Sequence, residues 1–466
     1  MPLLTAYLNP REYGAIAVLN LVSLFLIALC SLGFGTSISL FYFDSDSKSE
    51  RDQLIWSAAC GLAITALLVV VLGVLTLPLW SGWLISGDEF RGAAMYMLLS
   101  IAATVLTVPF DLRLRLDERQ TTFIIASVFS TFTVGVLLTL FVVGLRRGVG
   151  GYFEALFIGR LLSLVCFVHL AAKGSAFSCS LAKIKRLIRL GLPTAPQFVF
   201  IYALHYGNVE ELKRFIGLDA AGIYSVGLTL GVAINVIVSS IANAWAPFFM
   251  SYVNRRDEAS RLFGRITTYY VYGVGCLTLL FYYLAKPLVI LLSSPSFYEA
   301  HQVVGLTATA FFIFGFYNLL LPPVYYAKEV RVLTYLLGCA AVFFLLVGAI
   351  LIPSFRLLGA GWALVFAYTV LNFLLLGWNR AQGERYFKIA FEKKRLFSFL
   401  AVYLCSIILL CSLTNLAPFQ TALIYCVHFL GVVTLVMVSL ERDELRALGY
   451  YSRSVLAVCV RRKSLV

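Results

Sequence analysis

The stretch LLVVVLGVLTLPLW (67–80) carries no charge and no alternation of polar with apolar residues, so it has no face to offer to water. A run of this kind, repeated along a chain, is a helix meant for hydrocarbon. About 20 apolar residues are needed to cross a bilayer, and barrel strands would be about half as long and would alternate. Scanning for such runs bounded by charge predicts thirteen spans, at about 14–34, 54–79, 92–110, 120–145, 152–172, 190–206, 222–250, 268–292, 302–327, 330–352, 358–379, 396–413 and 417–440. With 61% hydrophobic and 13% charged residues over 466 positions, no water-soluble core could hide this much apolar surface. The fold class expected is an all-α polytopic membrane protein. No basic segment followed by a short apolar stretch and a small-residue site marks a cleavable signal.

The net charge of +14 invites a nucleic-acid reading, but the distribution of Lys and Arg excludes it. With the 44–53 loop placed inside, inside loops and the tail hold 28 basic residues and the opposite loops seven: Arg11, Arg91, Arg146, Arg147, Lys213, Arg214 and Arg356. Positive charge stays cytoplasmic, so the basic balance reports topology: the C-terminus inside, residues 9–13 outside.

Ten cysteines form no CxxC pair and mostly lie in or near spans, as small apolar residues do. The histidines His169, His205, His301 and His428 fall on four segments with no ligand spacing, so no metal site is expected. There is no GxGxxG, GxxxxGK[ST] or GxSxG, hence no support for nucleotide or serine chemistry, and no cofactor is expected.

An internal repeat is present. YLNPREYGAIAV (7–18) aligns with FIGLDAAGIYSV (215–226), placing Gly14 against Gly222 at the opening of two long apolar helices. GTSISLFYF (35–43) falls opposite NAWAPFFMS (243–251). Duplicated bundles are a recurring plan for transporters, with the substrate path between the halves. The second copy is preceded by the span 190–206 and the first only by PLLTAYL. The expectation is a chain short by one helix at its N-terminus, with an apolar stretch of about 20 residues encoded upstream.

The opening LTAYLNPREYGAIAVLNLVSLFLIALCSLGFGTSISLFYF is similar to that of the polysaccharide transporter family, the lipid-linked oligosaccharide (O-antigen) flippases of the multidrug/oligosaccharidyl-lipid/polysaccharide exporter superfamily. RLGLPTAPQ (189–197), GLDAAGIYSVGLTLG (217–231), NAWAPFFMSYVNRRDE (243–258) and AKPLVILLSSPSFYEAH (285–301) resemble the same family's later landmarks, in order. One departure stands out. Many members carry an Asp-Arg pair where this chain reads GNVEELKRF, with Asn208 and Val209.

The resemblance implies two facing six-helix lobes in an inverted V, two further C-terminal helices and alternating access. On that plan the N-terminal lobe is 1–178, a basic amphipathic linker 179–190, the C-terminal lobe 191–395, the extra helices 396–440 and a cytoplasmic tail 441–466. The implied cargo is an undecaprenyl-pyrophosphate-linked sugar unit crossing the bacterial inner membrane for O-antigen, capsule or exopolysaccharide assembly. The implied partners are that lipid-linked oligosaccharide, membrane lipids, and polysaccharide polymerase and chain-length proteins, with no nucleic acid.

Polar groups inside spans are expensive, so those present are candidates for lining a wet path. Arg160, in LFIGRLLSLVCF, lies near the middle of its span and suits bidentate binding of a phosphate or sugar acid. Its structural alternative is a pair with a carbonyl or with Glu154. His205, Asn208, Asn235, Asn243, Asn318 and Asn372 are weaker candidates for sugar contacts, with interhelical hydrogen bonds as the alternative. Lys286 reads as a snorkelling interface residue. All 23 acidic residues are placed in loops or near span ends. A cation-coupled drug exporter would be expected to bury one, so anionic or polar cargo is favoured. A multidrug or lipid II exporter of the same fold remains the alternative. An integral-membrane polysaccharide enzyme would need a large outward loop with carboxylates, and 207–221, with Glu210, Glu211 and Asp219, is too short for one.

Overall fold

The computed structural model describes residues 2–43, 47–80, 88–412 and 418–440; the basic tail 441–466 lies outside them. Asn9 starts the first long helix: its side chain accepts from Glu12 N–H at 2.9 Å while Glu12 accepts from Asn9 N–H at 3.0 Å, and Pro10 supplies a preset φ at the first helical position. The short α1 (Pro2–Tyr7) thus gives way to α2 (Pro10–Ser31), which runs through a left-handed break at Leu32–Gly33 into α3 (Phe34–Phe43). The first half continues with α4 (Lys48–Leu75), α5 (Arg91–Leu116), α6 (Gln120–Leu138, ending in the wider turn Thr139–Gly144) and α7 (Gly148–Ala172).

The linker is the amphipathic helix α8 (Leu181–Gly191), whose Ile184 and Leu187 are buried against α3 and α4 while Arg186 stacks over Phe41 at 3.9 Å. The second half comprises α9 (Ala195–Phe215), α10 (Leu218–Ser251), α11 (Arg256–Leu292), α12 (His301–Leu319), α13 (Pro322–Tyr326) and α14 (Arg331–Ala381), followed by α15 (Lys393–Ser412) and α16 (Pro418–Ser439).

By length and composition, nine helices among the described residues suffice to cross a membrane, or ten if the bent pair α8 and α9 is one span. Large apolar residues such as Leu75, Phe132, Ile350 and Phe373 face outward, as lipid-facing positions of a multi-pass membrane protein must. Two of the expected spans, 330–352 and 358–379, are the two arms of α14, bent at Arg356, where φ is 51°. The expected loop 207–221 is also corrected: α9 stays helical to Phe215. The polar run GNVEELKR therefore packs as helix, with Asn208 and Glu211 buried.

The repeat extends beyond the two helix openings. The span formed by α2 and α3 (Pro10–Phe43) and α10 (Leu218–Ser251) both have 34 residues and start 208 positions apart, as do α4 (Lys48) and α11 (Arg256). The positive-φ residue Gly148 that opens α7 falls opposite Arg356, at the break in α14. Cores divide accordingly: among the described residues one buried cluster lies within residues 8–187, and the others draw their buried members from 204–432 and Val18, with Ala17 and Tyr13 of the first half packed against them. Two lobes result, joined chiefly where α2 packs on α9 and α10.

Candidate functional site

The lobes meet by a backbone crossing. A Cβ on Gly14 would lie 2.0 Å from Leu218 O, and one on Gly222 would lie 1.9 Å from Pro10 O. Leu218 and Pro10 are themselves repeat partners, so the two contacts are related by the internal symmetry. Only glycine permits this approach. Both helices have their N-termini here, so the two lobes are in direct backbone contact at this end of the interface.

Beyond the crossing the lobes part around a cavity of about 570 Å³, walled by α2, α5 and α7 on one side and by α9 and α10 on the other. Its polar groups are Tyr13, Asn20, Ser23, Ser100, Thr104, Tyr152, Arg160, Tyr206, Ser225 and Thr229. Asn20 Nδ2 donates to Tyr152 Oη at 3.2 Å, which ties α2 to α7 across the cavity wall. Arg160 is exposed to the cavity two turns further along α7. Among the described residues it forms no ion pair. Glu154, its proposed local partner, is held instead by Arg147 at 2.6 Å. The other interior arginine, Arg113, is buried and paired with Asp52 and Asp117. Among the described residues Arg160 therefore presents a guanidinium without an ionic partner to the space between the lobes, where a charge acts strongly.

The position 208 residues after Arg160 is Tyr368, whose hydroxyl lies 2.8 Å from Nδ1 of His205 on α9. In the second half α9 covers that face of α14. In the first half, among the described residues, α1 packs on the Thr139–Gly144 turn, and Tyr152, Leu156 and Arg160 of α7 line the cavity.

Of the seven substrate-contact candidates, Arg160 alone lines this cavity, and Asn235 with the others does not. His205 is buried between α9 and α14, with Nδ1 2.8 Å from Ile201 O as well. Asn208 Nδ2 donates to Tyr224 Oη at 2.8 Å and to Ala360 O at 2.7 Å. Asn318 bonds back to Phe314 O at 3.2 Å on its own helix, and Asn243 is exposed on α10. Asn372 joins α14 to α12 through Ile313 O at 2.9 Å. Asn20, Tyr13 and Tyr152 were not singled out by the sequence reading. The usable signal was Asn20, a lone amide inside an otherwise apolar span. Among the described residues no group of three His, Cys, Asp or Glu side chains could hold a metal.

Residues 1–253, more than half of the chain, match the family described as "Polysaccharide biosynthesis protein". The succinoglycan biosynthesis transport protein ExoT of Rhizobium meliloti (strain 1021) is 24% identical over 319 residues, covering 66% of this chain and 61% of that protein's own length. Among solved structures, an inward-facing multidrug resistance MATE family transporter of the MOP superfamily superimposes with a TM-score of 0.66 at 17% identity, covering 82% of this chain and 93% of that one. The lipid II flippase MurJ in an inward closed conformation gives 0.62 at 15% identity, covering 92% and 96%. These structural likenesses establish the fold.

Proposed function

Because the chain belongs to the polysaccharide biosynthesis protein family, we propose that it is a flippase for a lipid-linked oligosaccharide, moving the unit between leaflets by alternating access. The observation that carries this reading is Arg160, a guanidinium on the wall of the interlobe cavity with no ion pair among the described residues. The cargo that fits is an anionic headgroup on a polyprenyl tail, undecaprenyl pyrophosphate with its sugars. The guanidinium would bind the pyrophosphate, or a sugar acid, through paired N–H donors. Asn20, Tyr152 and Ser225 would offer hydrogen bonds to sugar hydroxyls, and the tail would stay in lipid. A volume of about 570 Å³ holds a headgroup rather than a whole oligosaccharide.

The seal at Gly14–Gly222 would close the outer face while the cavity loads from the cytoplasm, in a bacterial inner membrane with residues 9–13 outside. Relaxing that crossing and closing the opposite end would complete the transfer. The name of ExoT, a biosynthesis transport protein, supports transport over an enzymatic role, and the family description supports polysaccharide precursors over drugs.

The test is export of polymer by Arg160→Lys and Arg160→Ala, each normalised to membrane abundance. Loss of a charged hydrogen-bond partner worth about 1.5–3 kcal/mol corresponds to roughly tenfold to a hundredfold in affinity. The expected outcome is partial loss with Lys, which keeps the charge without the planar fork, and severe loss with Ala, at normal abundance in both. Full export by Arg160→Ala at wild-type level would remove the anion contact from this reading.

A further inference from the structure

Tyr13 belongs at once to the cavity and to the contact between the lobes. It lines the cavity and directly precedes Gly14, where α2 touches the backbone of α10. Its ring also meets Phe297 of the second lobe, with centroids 5.5 Å apart and planes at 69°. Phe297 lies in the turn Pro295–Ala300 between α11 and α12, fully buried among Val226, Val289 and Val304, one from each of α10, α11 and α12. Beside it, Ser294 Oγ donates to Thr5 O at 2.7 Å, so the same turn is held by α1 as well. Inside the cavity the Tyr13 hydroxyl is within hydrogen-bonding reach of Thr229 on α10, another lining residue. Tyr152 stands within electrostatic reach of both Tyr13 and Arg160.

We propose that Tyr13 is a positioning residue that ties cavity occupancy to the interlobe contact: cargo draws its hydroxyl away from α10, the ring leaves Phe297, and the lobes part at this end. The inference rests on the flippase reading of the cavity. A phenol has one proton to donate, so Tyr13 serves one acceptor at a time. The oxygen of a phosphate or a sugar carboxylate is a stronger acceptor than the Thr229 hydroxyl, because a hydrogen bond to an ionised group is roughly twice as strong as a neutral one. Ring and hydroxyl are one rigid body turning on two torsions, so the ring follows the hydroxyl. What holds the lobes here is one aromatic edge contact, one neutral hydrogen bond and the Ser294–Thr5 bond beside the glycine crossing. Ties of this strength set an equilibrium that differential binding can shift. The empty protein stays joined at this end, and a headgroup whose anionic oxygen reaches both Arg160 and Tyr13 releases it.

The experiment measures the lobe separation and the binding of cargo independently. Arg146→Cys and Glu299→Cys, exposed positions of the first and second lobe, carry spin labels on the full-length protein lacking its native cysteines, in lipid nanodiscs. Pulsed electron paramagnetic resonance gives the distance between them without and with undecaprenyl pyrophosphate, whose binding is counted in parallel with a radiolabel. The expected result is a short-distance population in the otherwise unchanged protein that moves to longer distance with the probe. Tyr13→Phe keeps the ring and loses the hydroxyl, so its separated population without probe should rise about twofold to tenfold, the effect of one neutral hydrogen bond, and the probe should add little. Phe297→Leu loosens the same contact but keeps the hydroxyl, so it should open at rest and still respond to the probe, which a merely structural role for Tyr13 would not separate. A probe response in Tyr13→Phe as large as with Tyr13 present would overturn the proposal. So would probe binding with no change in distance, which leaves the cargo assignment standing. Failure of the protein with Tyr13 to bind the probe at all would overturn the coupling together with the proposed cargo.

Discussion

At the scale of single residues, the interior separates charges that are compensated from charges that are not. Arg113 is 5% exposed and held by Asp52 from α4 and Asp117 from its own helix, with Asp117 also accepting from Tyr42. Asp52→Asn would leave a buried guanidinium with only the longer contact to Asp117 at 3.5 Å. We expect a loss on the order of 3 kcal/mol, seen as a lower melting temperature of the solubilised protein and reduced abundance. Arg160→Ala, which breaks no pair, should leave both unchanged. Arg160 was legible in the sequence because a guanidinium inside an apolar span has few bland explanations. Glu211 was not. The run GNVEELKRF reads as polar loop, and whether a carboxylate there is solvated or buried depends on Gly348, over a hundred residues away. The amides were ambiguous for the same reason: Asn208, Asn318 and Asn372 found carbonyls and hydroxyls on helices, while Asn20 and Asn243, of the same chemistry, face the cavity and the exterior.

At the scale of helices, hydropathy was enough to place almost every span, since burial in lipid requires composition rather than a particular partner. Ends and joins were less legible, being set by local backbone. α14 continues through IPSFRLLG with a single left-handed residue, Arg356, instead of ending in a loop. The crossing of α2 and α10 gives the sharpest expectation at this scale. Adding one methyl at Gly14 or at Gly222 places carbon about 2 Å from a carbonyl oxygen of the other helix, far inside contact distance. The helices must separate, at a cost of about 1–3 kcal/mol. Gly14→Ala and Gly222→Ala should therefore weaken the seal to similar degrees. The readout is faster modification of cysteines introduced at cavity positions by a reagent added from the sealed end. Gly135→Ala and Gly273→Ala, in helices where nothing lies within 4 Å of the added Cβ, serve as controls. They should be neutral or stabilising by up to about 1 kcal/mol. Equal labelling in all four variants would show that the crossing is not the seal.

At the scale of the whole molecule, the 208-residue offset relates two halves that run the same way through the membrane, because α2 and α10 begin at one shared crossing. Parallel repeats of this kind are related by an axis along the membrane normal. The symmetry binds the topology of the two halves together: residues 9 and 217 must face the same side whichever side that is, and 293–294 must join them, since α10 and α11 cross in succession. The charge distribution then chooses the side. Of 37 Lys and Arg residues, 28 fall on inside loops and the tail in the assignment made above, and basic loops stay in the cytoplasm. In a background lacking the native cysteines, single cysteines at 9, 217 and 293 should react with a membrane-impermeant maleimide in intact cells. Those at 254, 384 and 390 should react only after permeabilisation. The two arguments fail in different ways. Complete reversal of the pattern would leave the paired halves intact and overturn only the charge-based orientation. Labelling of 9 and 217 from opposite sides would break the symmetry itself, and with it the interlobe crossing that seals the cavity around Arg160.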